Sequence, residues 1–198
     1  MKLTKKLLLE IIREMLRPNK KAFKEADKAS AEFFENGNFP EGKVRLFGEG
    51  VDKIAMSHED FPQWIFKRIK KDPASHRAGE EVAIWKKFKD TPLREILAEI
   101  ISDAEFYSWA MRKGKGGGSE QEVRDYLWRV AEKMDIPRWE RQSLYGDFEW
   151  LFLSDIRKPG NLLKIDGKSK LVDYDQTFSS GLRYLNKYLN ALKNISSF

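Results

Sequence analysis

No cysteine occurs among the 198 residues. That excludes a disulfide framework, a thiolate nucleophile and a cysteine-bound zinc, and it makes a reducing compartment, the cytoplasm, the default expectation. Histidine is nearly absent too. His58 and His76 are the only two, which removes histidine-rich metal sites and most histidine-based triads. No apolar run approaches the roughly eighteen residues of a membrane-spanning helix. The opening MKLTKKLLLEIIREMLRP is broken by charges throughout and has no small-residue cleavage site, so it does not read as a secretory signal.

What the chain has in quantity is charge, 37 lysines and arginines against 31 acids, for a net +6. The excess is local. Residues 1–28 hold Lys2, Lys5, Lys6, Arg13, Arg17, Lys20, Lys21, Lys24 and Lys28 against Glu10, Glu14, Glu25 and Asp27; nine minus four is +5, so the rest is close to neutral. A basic arm on a near-neutral body implies an acidic partner such as nucleic acid, anionic lipid or an acidic protein face. The plain alternative is a solvated, lysine-rich helix face.

Leu3, Leu7, Leu8, Ile11, Ile12, Met15 and Leu16 fall at helical spacing until Pro18, and a second helical stretch runs from about Lys20 to Phe34. ENGNFPEG (35–42) is a turn-rich break after which the body begins. KVRLFGEGVDKIAM reads as strand, glycine turn, strand, and FPQWIFKRIKK as a further strand. Residues 76–89 return to helical period, with Val82, Trp85 and Phe88 on one side. EILAEIIS and EFYSWAM are strand-like, and KGKGGG (113–118) reads as a flexible linker or exposed loop. Ser119 with Glu122 is a capping-box signature opening a helix to about Met134. Pro137 suits the start of a short helix. Trp150–Leu153 is an apolar strand-like run, and NLLKI, a DGKS turn and KLVDY form a hairpin. Leu182, Leu185, Tyr188, Leu189 and Leu192 close the chain as a helix. The six tryptophans sit mostly in apolar patterns and read as core. This order of elements is α+β.

The segment SDIRKPGNLLKIDGKSKLVDYD (154–175) resembles the catalytic loop, hairpin and metal-binding strand of the protein-kinase superfamily. Lys158, Pro159, Gly160 and Asn161 match its K-P-x-N run. Leu171-Val172-Asp173-Tyr174-Asp175 matches the strand ending in D-F-G. Upstream, RLFGEGVDKIAM resembles the glycine-rich loop through Gly48 and Gly50, and WIFK resembles V-A-I-K, with Lys67 as the strand lysine. EVAIWKKF resembles the helix carrying the partner glutamate, Glu81, with Glu80 beside it. Residues 92–118 resemble the two strands and hinge of the nucleotide cleft. The resemblance covers residues 44–175. It implies a kinase-like N-lobe, an antiparallel sheet plus one helix, with a reduced helical C-lobe and an N-terminal helical extension. The segments would be a basic extension (1–36), a nucleotide-binding subdomain (43–118) and a reduced C-lobe-like subdomain (119–198).

The roles implied are ATP and Mg²⁺ as cofactors, Gly48, Gly50, Lys67 and Glu81 at the phosphates, Asn161 and Asp173 at the metal, Lys158 at the transferring phosphoryl group and Asp155 as base. Several departures bear on activity, among them Asp175 where the D-F-G motif has glycine, which would add negative charge next to the implied metal site. Asp155 lies six residues before Asn161 where the family has five, and Leu153-Ser154 replaces the usual H-R. Twenty-three residues follow Asp175, too few for the family's activation segment and substrate-binding helices. An ATP-binding phosphotransferase, a catalytically inactive pseudokinase or assembly scaffold, and a nucleic-acid-associated protein acting through residues 1–28 are the three functions in view. The leader resembles short N-terminal helices of bacteriophage-encoded proteins, which implies a virion or assembly partner for the scaffold reading.

Overall fold

The computed structural model describes residues 4, 8, 12, 16–70, 80–158, 160–174 and 178–195, with side chains outside 149–155, 178–184 and 187. His76, Pro159, Asp175 and most of the leader's apolar positions lie outside the described residues. The chain divides into two compact units, Met1–Ala74 with Ile101–Met111, and Ser75–Ile100 with Arg112–Phe198.

The first unit is a sheet with one helix laid across it. Helix α1 (Lys20–Asn36) starts where the Asn19 side chain accepts from the Ala22 N–H, and ends at Gly37, whose φ of 74° suits a residue without Cβ. Strands β1 (Val44–Glu49), β2 (Lys53–His58), β3 (Trp64–Ile69), β4 (Ile100–Ser102) and β5 (Trp109–Arg112) form one sheet in the order β1-β2-β3-β5-β4. The first three run antiparallel. Phe23, Ala26 and Ala29 of α1 pack against Ile54, Met56, Trp64, Phe66 and Ala110, with Phe23 edge-on to Phe66 at 5.4 Å. The sequence placed the start of the body near residue 43; α1 supplies one whole side of this core.

One acid of α1 reaches across the unit. The Asp27 carboxylate accepts from the N–H groups of Tyr107 and Ser108, both at 2.9 Å, and its carbonyl accepts from Arg68 at 2.7 Å. Arg68 also donates to Ser30 Oγ and lies over the rings of Phe34 and Tyr107. Arg68 thus turns inward to α1, and Lys70 pairs with Glu49 at 2.6 Å.

The second unit holds α2 (Glu80–Phe88), a 3-10 turn (Pro92–Glu95), α3 (Glu120–Lys133), α4 (Arg138–Ile156), a hairpin of β6 (Leu162–Ile165) and β7 (Lys168–Leu171), and α5 (Phe178–Lys193). The α+β architecture expected from the sequence is thus present, with a five-stranded sheet and a helical part. Several local expectations are corrected. Trp150–Leu153 is helical, not a strand, because α4 runs unbroken for 19 residues from Arg138; extending an existing helix costs less than starting a new element. The buried side of α2 is Glu81, Ile84 and Phe88, not Val82, Trp85 and Phe88. Trp128 and Trp139 are exposed rather than core.

KGKGGG is no flexible linker. Lys115 and Lys164 exchange both backbone hydrogen bonds, at 3.0 and 2.8 Å, so the segment lies flat along β6. A Cβ on Gly118 would stand 2.8 Å from the Leu162 carbonyl carbon and oxygen, and one on Gly114 would stand 2.5 Å from Leu163 Cβ. Glycine is required there for close backbone approach. Gly118→Ala is expected to lower unfolding stability by about 1–3 kcal/mol, whereas Gly116→Ala, with nothing within 4 Å, should stay within about 0.5 kcal/mol of the parent. Urea denaturation of the two variants checks this; equal effects would show that the segment yields freely.

Candidate functional site

The candidate residues fall into two groups, one on each unit. In the first unit, the register places Gly48 opposite Ala55 and Ala55 opposite Lys67. Residues directly opposite in adjacent strands share a face. Ile54, Met56, Trp64 and Phe66 point to α1, so Gly48, Ala55 and Lys67 form a row on the sheet's other face. A shift in register between Leu46 and Gly48 bends β1 just before the turn. The turn closes when Gly50 N–H donates to the Lys53 carbonyl at 2.8 Å. A Cβ at Gly48 would meet nothing within 4 Å, so packing within the protein does not demand glycine at that position. Lys67 is half-buried.

In the second unit the residues sit at the open end of the β6–β7 hairpin. Its tip, Asp166-Gly167, has φ of 50° and 78°, the left-handed pair of a type I′ turn. At the other end, the Asn161 N–H donates to the Lys158 carbonyl at 3.1 Å, and Gly160 at φ 85° takes the position where that turn needs a positive φ. The Val172 N–H donates to the Asn161 carbonyl at 2.9 Å. The Asn161 side-chain amide then donates to the Asp173 carbonyl at 3.0 Å. The amide nitrogen is thereby used, leaving Asn161 Oδ1 as its acceptor end. Asp173 and Lys158 are half-buried. Asn161 and Asp173 carry hard oxygen donors of the type Mg²⁺ takes; no cluster of three or more acids or histidines suited to a metal occurs among the described residues.

Glu81 and Tyr174 complete this half. Glu81 is fully buried on α2, and Glu80, its neighbour, is half-buried with Oε2 unpartnered. Tyr174 is fully buried and donates to the Ala98 carbonyl at 3.3 Å. Burial, together with the negative charges of Glu81 and Asp173, pushes its phenol well above the usual value. Asp155 lies in the last turn of α4 rather than in an open loop; its backbone is helical, because the helix does not end until Ile156.

Sequence reasoning missed the clamp that holds the hairpin. Ser119 caps α3, but its own N–H donates to Ser169 Oγ at 2.8 Å, and Ser169 donates to Glu122 at 2.5 Å. Lys164 also bonds Glu122, which lowers that carboxyl. The Ser119/Glu122 signature was visible as a capping box; its capture of β7 through Ser169 has no local signal.

No protein-family model matches this sequence, and no curated protein matches it either. Among solved structures, the chain is similar to ADP-bound aminoglycoside phosphotransferase APH(2'')-Ib, at 13% identity over 73% of this chain and 70% of that one, with a TM-score of 0.40. It is similar to the streptomycin–ATP ternary complex of APH(2")-IIa at 9% identity, 80% and 71% coverage and a TM-score of 0.40. For the GDP complex of wild-type aminoglycoside 2'-phosphotransferase-IIIa the values are 11%, 84%, 58% and 0.27. The superpositions are partial, and what the site can do is argued from its own residues.

The Tyr174 phenol has its folded-state pKa above the unfolded value of 10.0. Its protonated form is therefore fully stabilising below pH 10, and that contribution fades as pH climbs above it. Tyr174→Phe is expected to cost less than about 1.5 kcal/mol at neutral pH and to flatten the loss of stability above pH 10. Denaturation curves across pH 8–12 test this; an unchanged alkaline slope would refute it.

Proposed function

We propose that the chain is a minimal kinase-like protein that binds ATP with Mg²⁺. The observation that carries this is the tie between Asn161 and Asp173: the Asn161 amide donates to the Asp173 carbonyl, and two backbone hydrogen bonds hold Asn161 at the mouth of a hairpin. Mg²⁺ would sit on Asn161 and Asp173 and supply neutralisation of phosphate charge. Gly48 and Gly50 would offer approachable backbone N–H groups, and Lys67 a cation on the same sheet face, to phosphate oxygens. Glu81 is the carboxylate for that lysine in the resemblance. In the transferring form Lys158 would face the terminal phosphoryl group and Asp155 would take the acceptor's proton.

A second function is favoured by one observation. The helical backbone through Asp155 does not give the base an open loop, and positioning errors of about 1 Å cost on the order of a hundredfold in rate. This supports a protein that holds nucleotide without turnover, a scaffold within a larger assembly such as a virion.

Thermal unfolding with and without ATP and Mg²⁺ tests the binding. At 100 times its dissociation constant a ligand stabilises by about 2.7 kcal/mol, or several degrees for a domain of this size. The shift should require Mg²⁺, vanish in Asp173→Ala and shrink in Lys67→Ala. No shift in a folded wild type would sink the proposal. A shift without ADP release, equal in Asp155→Asn, would establish the non-catalytic form.

A further inference from the structure

Helix α1 is sorted by charge. The Asp60 N–H donates to His58 Nδ1 at 3.2 Å, so the ring proton sits on Nε2 and is donated to Glu25 at 2.8 Å. His58 is buried, and the contact draws Glu25 toward the sheet. Asp27 is drawn inward as well, by the N–H groups of Tyr107 and Ser108. The lysines of the same stretch, Lys20, Lys21, Lys24 and Lys28, are all exposed. At about 100° per residue they fall within one arc of roughly 100°, opposite the side where Ala22, Phe23, Ala26 and Ala29 are buried. Arg17, exposed just ahead of the cap, adds a fifth cation beside the helix start.

Three of the lysines have an acid within reach: Glu105 at 2.7 Å from Lys20, Glu25 at 3.9 Å from Lys21 and Glu32 at 3.7 Å from Lys28. Their side chains are 66%, 76% and 79% exposed, and ion pairs in water hold weakly and yield to another anion. From Lys20 to Lys28 the row is about 12 Å long. A nucleic-acid duplex presents one phosphate charge per ~1.7 Å of axis, so about seven over that length. The chain's net +6 favours encounter with such a polyanion.

We propose that the outer side of α1 binds the phosphate backbone of nucleic acid through Lys20, Lys21, Lys24 and Lys28, without reading sequence. The composition of the stripe discriminates among partners. A protein interface is built on a buried apolar and aromatic centre and is poor in lysine; this stripe is lysine with no apolar residue among it. A membrane surface needs apolar side chains beside the cations, and those of α1 are spent on the sheet. A phosphate backbone takes cations alone. The stripe lies on α1, so this function is independent of the ATP site proposed above.

The test is fluorescence anisotropy of the full chain with labelled DNA duplexes of two unrelated sequences, without ATP. Equal binding to both is expected, weakening with salt at a log–log slope of roughly −3.6 for four phosphates. Lys24→Glu/Lys28→Glu should weaken binding about tenfold or more and make the slope shallower by about 2. Both positions are exposed, so the variant's melting temperature should match the parent and separate lost binding from lost folding. Lys86→Glu/Lys89→Glu makes the same charge change at exposed positions of the second unit and should cost less than about threefold. No binding to either duplex would overturn the proposal, as would equal losses in the two variants. Binding to phosphatidylglycerol vesicles but not to DNA would assign the stripe to a membrane surface instead. Affinity for polyglutamate equal to that for DNA would overturn it in favour of an acidic protein face.

Discussion

The second unit depends on what bonds to the two outer edges of a four-residue hairpin. A two-stranded hairpin alone is marginal in water. Here β7 does not stand alone: Leu171 accepts from Ala98 N–H and donates to the Ile96 carbonyl, both at 2.8 Å, in a parallel bridge beside Leu97. On the opposite edge Lys164 of β6 exchanges two bonds with Lys115. Both edges are thus closed by short segments from elsewhere in the unit, and the candidate metal ligands emerge where the closed hairpin ends. Asn161 and Asp173 inherit their placement from that ladder.

Polar side chains reinforce the same frame at places where they cannot move cheaply. Lys170 donates to the carbonyls of Arg94 and Leu97, and burial pushes its ammonium below the usual range. A desolvated cation costs energy unless its donors are used, so this lysine fixes the spacing between β7 and the 92–97 segment. Lys168, two residues earlier on the same face of β7, pairs with Glu95 at 2.6 Å. Three residues beyond β7, the buried Tyr174 donates to the Ala98 carbonyl. The aromatic ring and the long amphipathic lysines do the packing, while the glycines at 114 and 118 only make room.

Periodicity and punctuation made most of the fold legible. The alternating KIAMSH and WIFKRI, the Asp166-Gly167 turn, the cap at Ser119 and the Leu185/Tyr188/Leu192 spacing all correspond to elements in their places. Three features resisted for physical reasons. Helix α1 looks like a charged extension because only four of its residues, Ala22, Phe23, Ala26 and Ala29, are buried hydrophobics; three of them are alanines with little apolar signal. A run of glycines has the same composition whether it is free or pressed against a strand. The last turn of α4 carries β-favouring aromatics and aliphatics, but helix continuity overrides local propensity. At the site, the residue types of Asn161 and Asp173 could be read from the sequence; the amide-to-carbonyl bond that orients them could not.

The position of Asp155 bears differently on binding and on turnover. Phosphoryl transfer asks little covalent chemistry of a protein; it is mostly positioning and charge neutralisation. In the proposed function Lys67, the turn at Gly48–Gly50 and the oxygens of Asn161 and Asp173 would supply the neutralising part. The part that orients an acceptor hydroxyl needs a carboxylate at a set distance from the phosphate, and that distance is controlled by the backbone that carries it. In this chain that backbone is the last turn of a helix whose register is set by Leu144 and Phe148, both fully buried. Sliding Asp155 by one residue to restore the family's spacing would rotate the helix by about 100° and bring those two side chains out of the core. The spacing therefore cannot be corrected by a local adjustment.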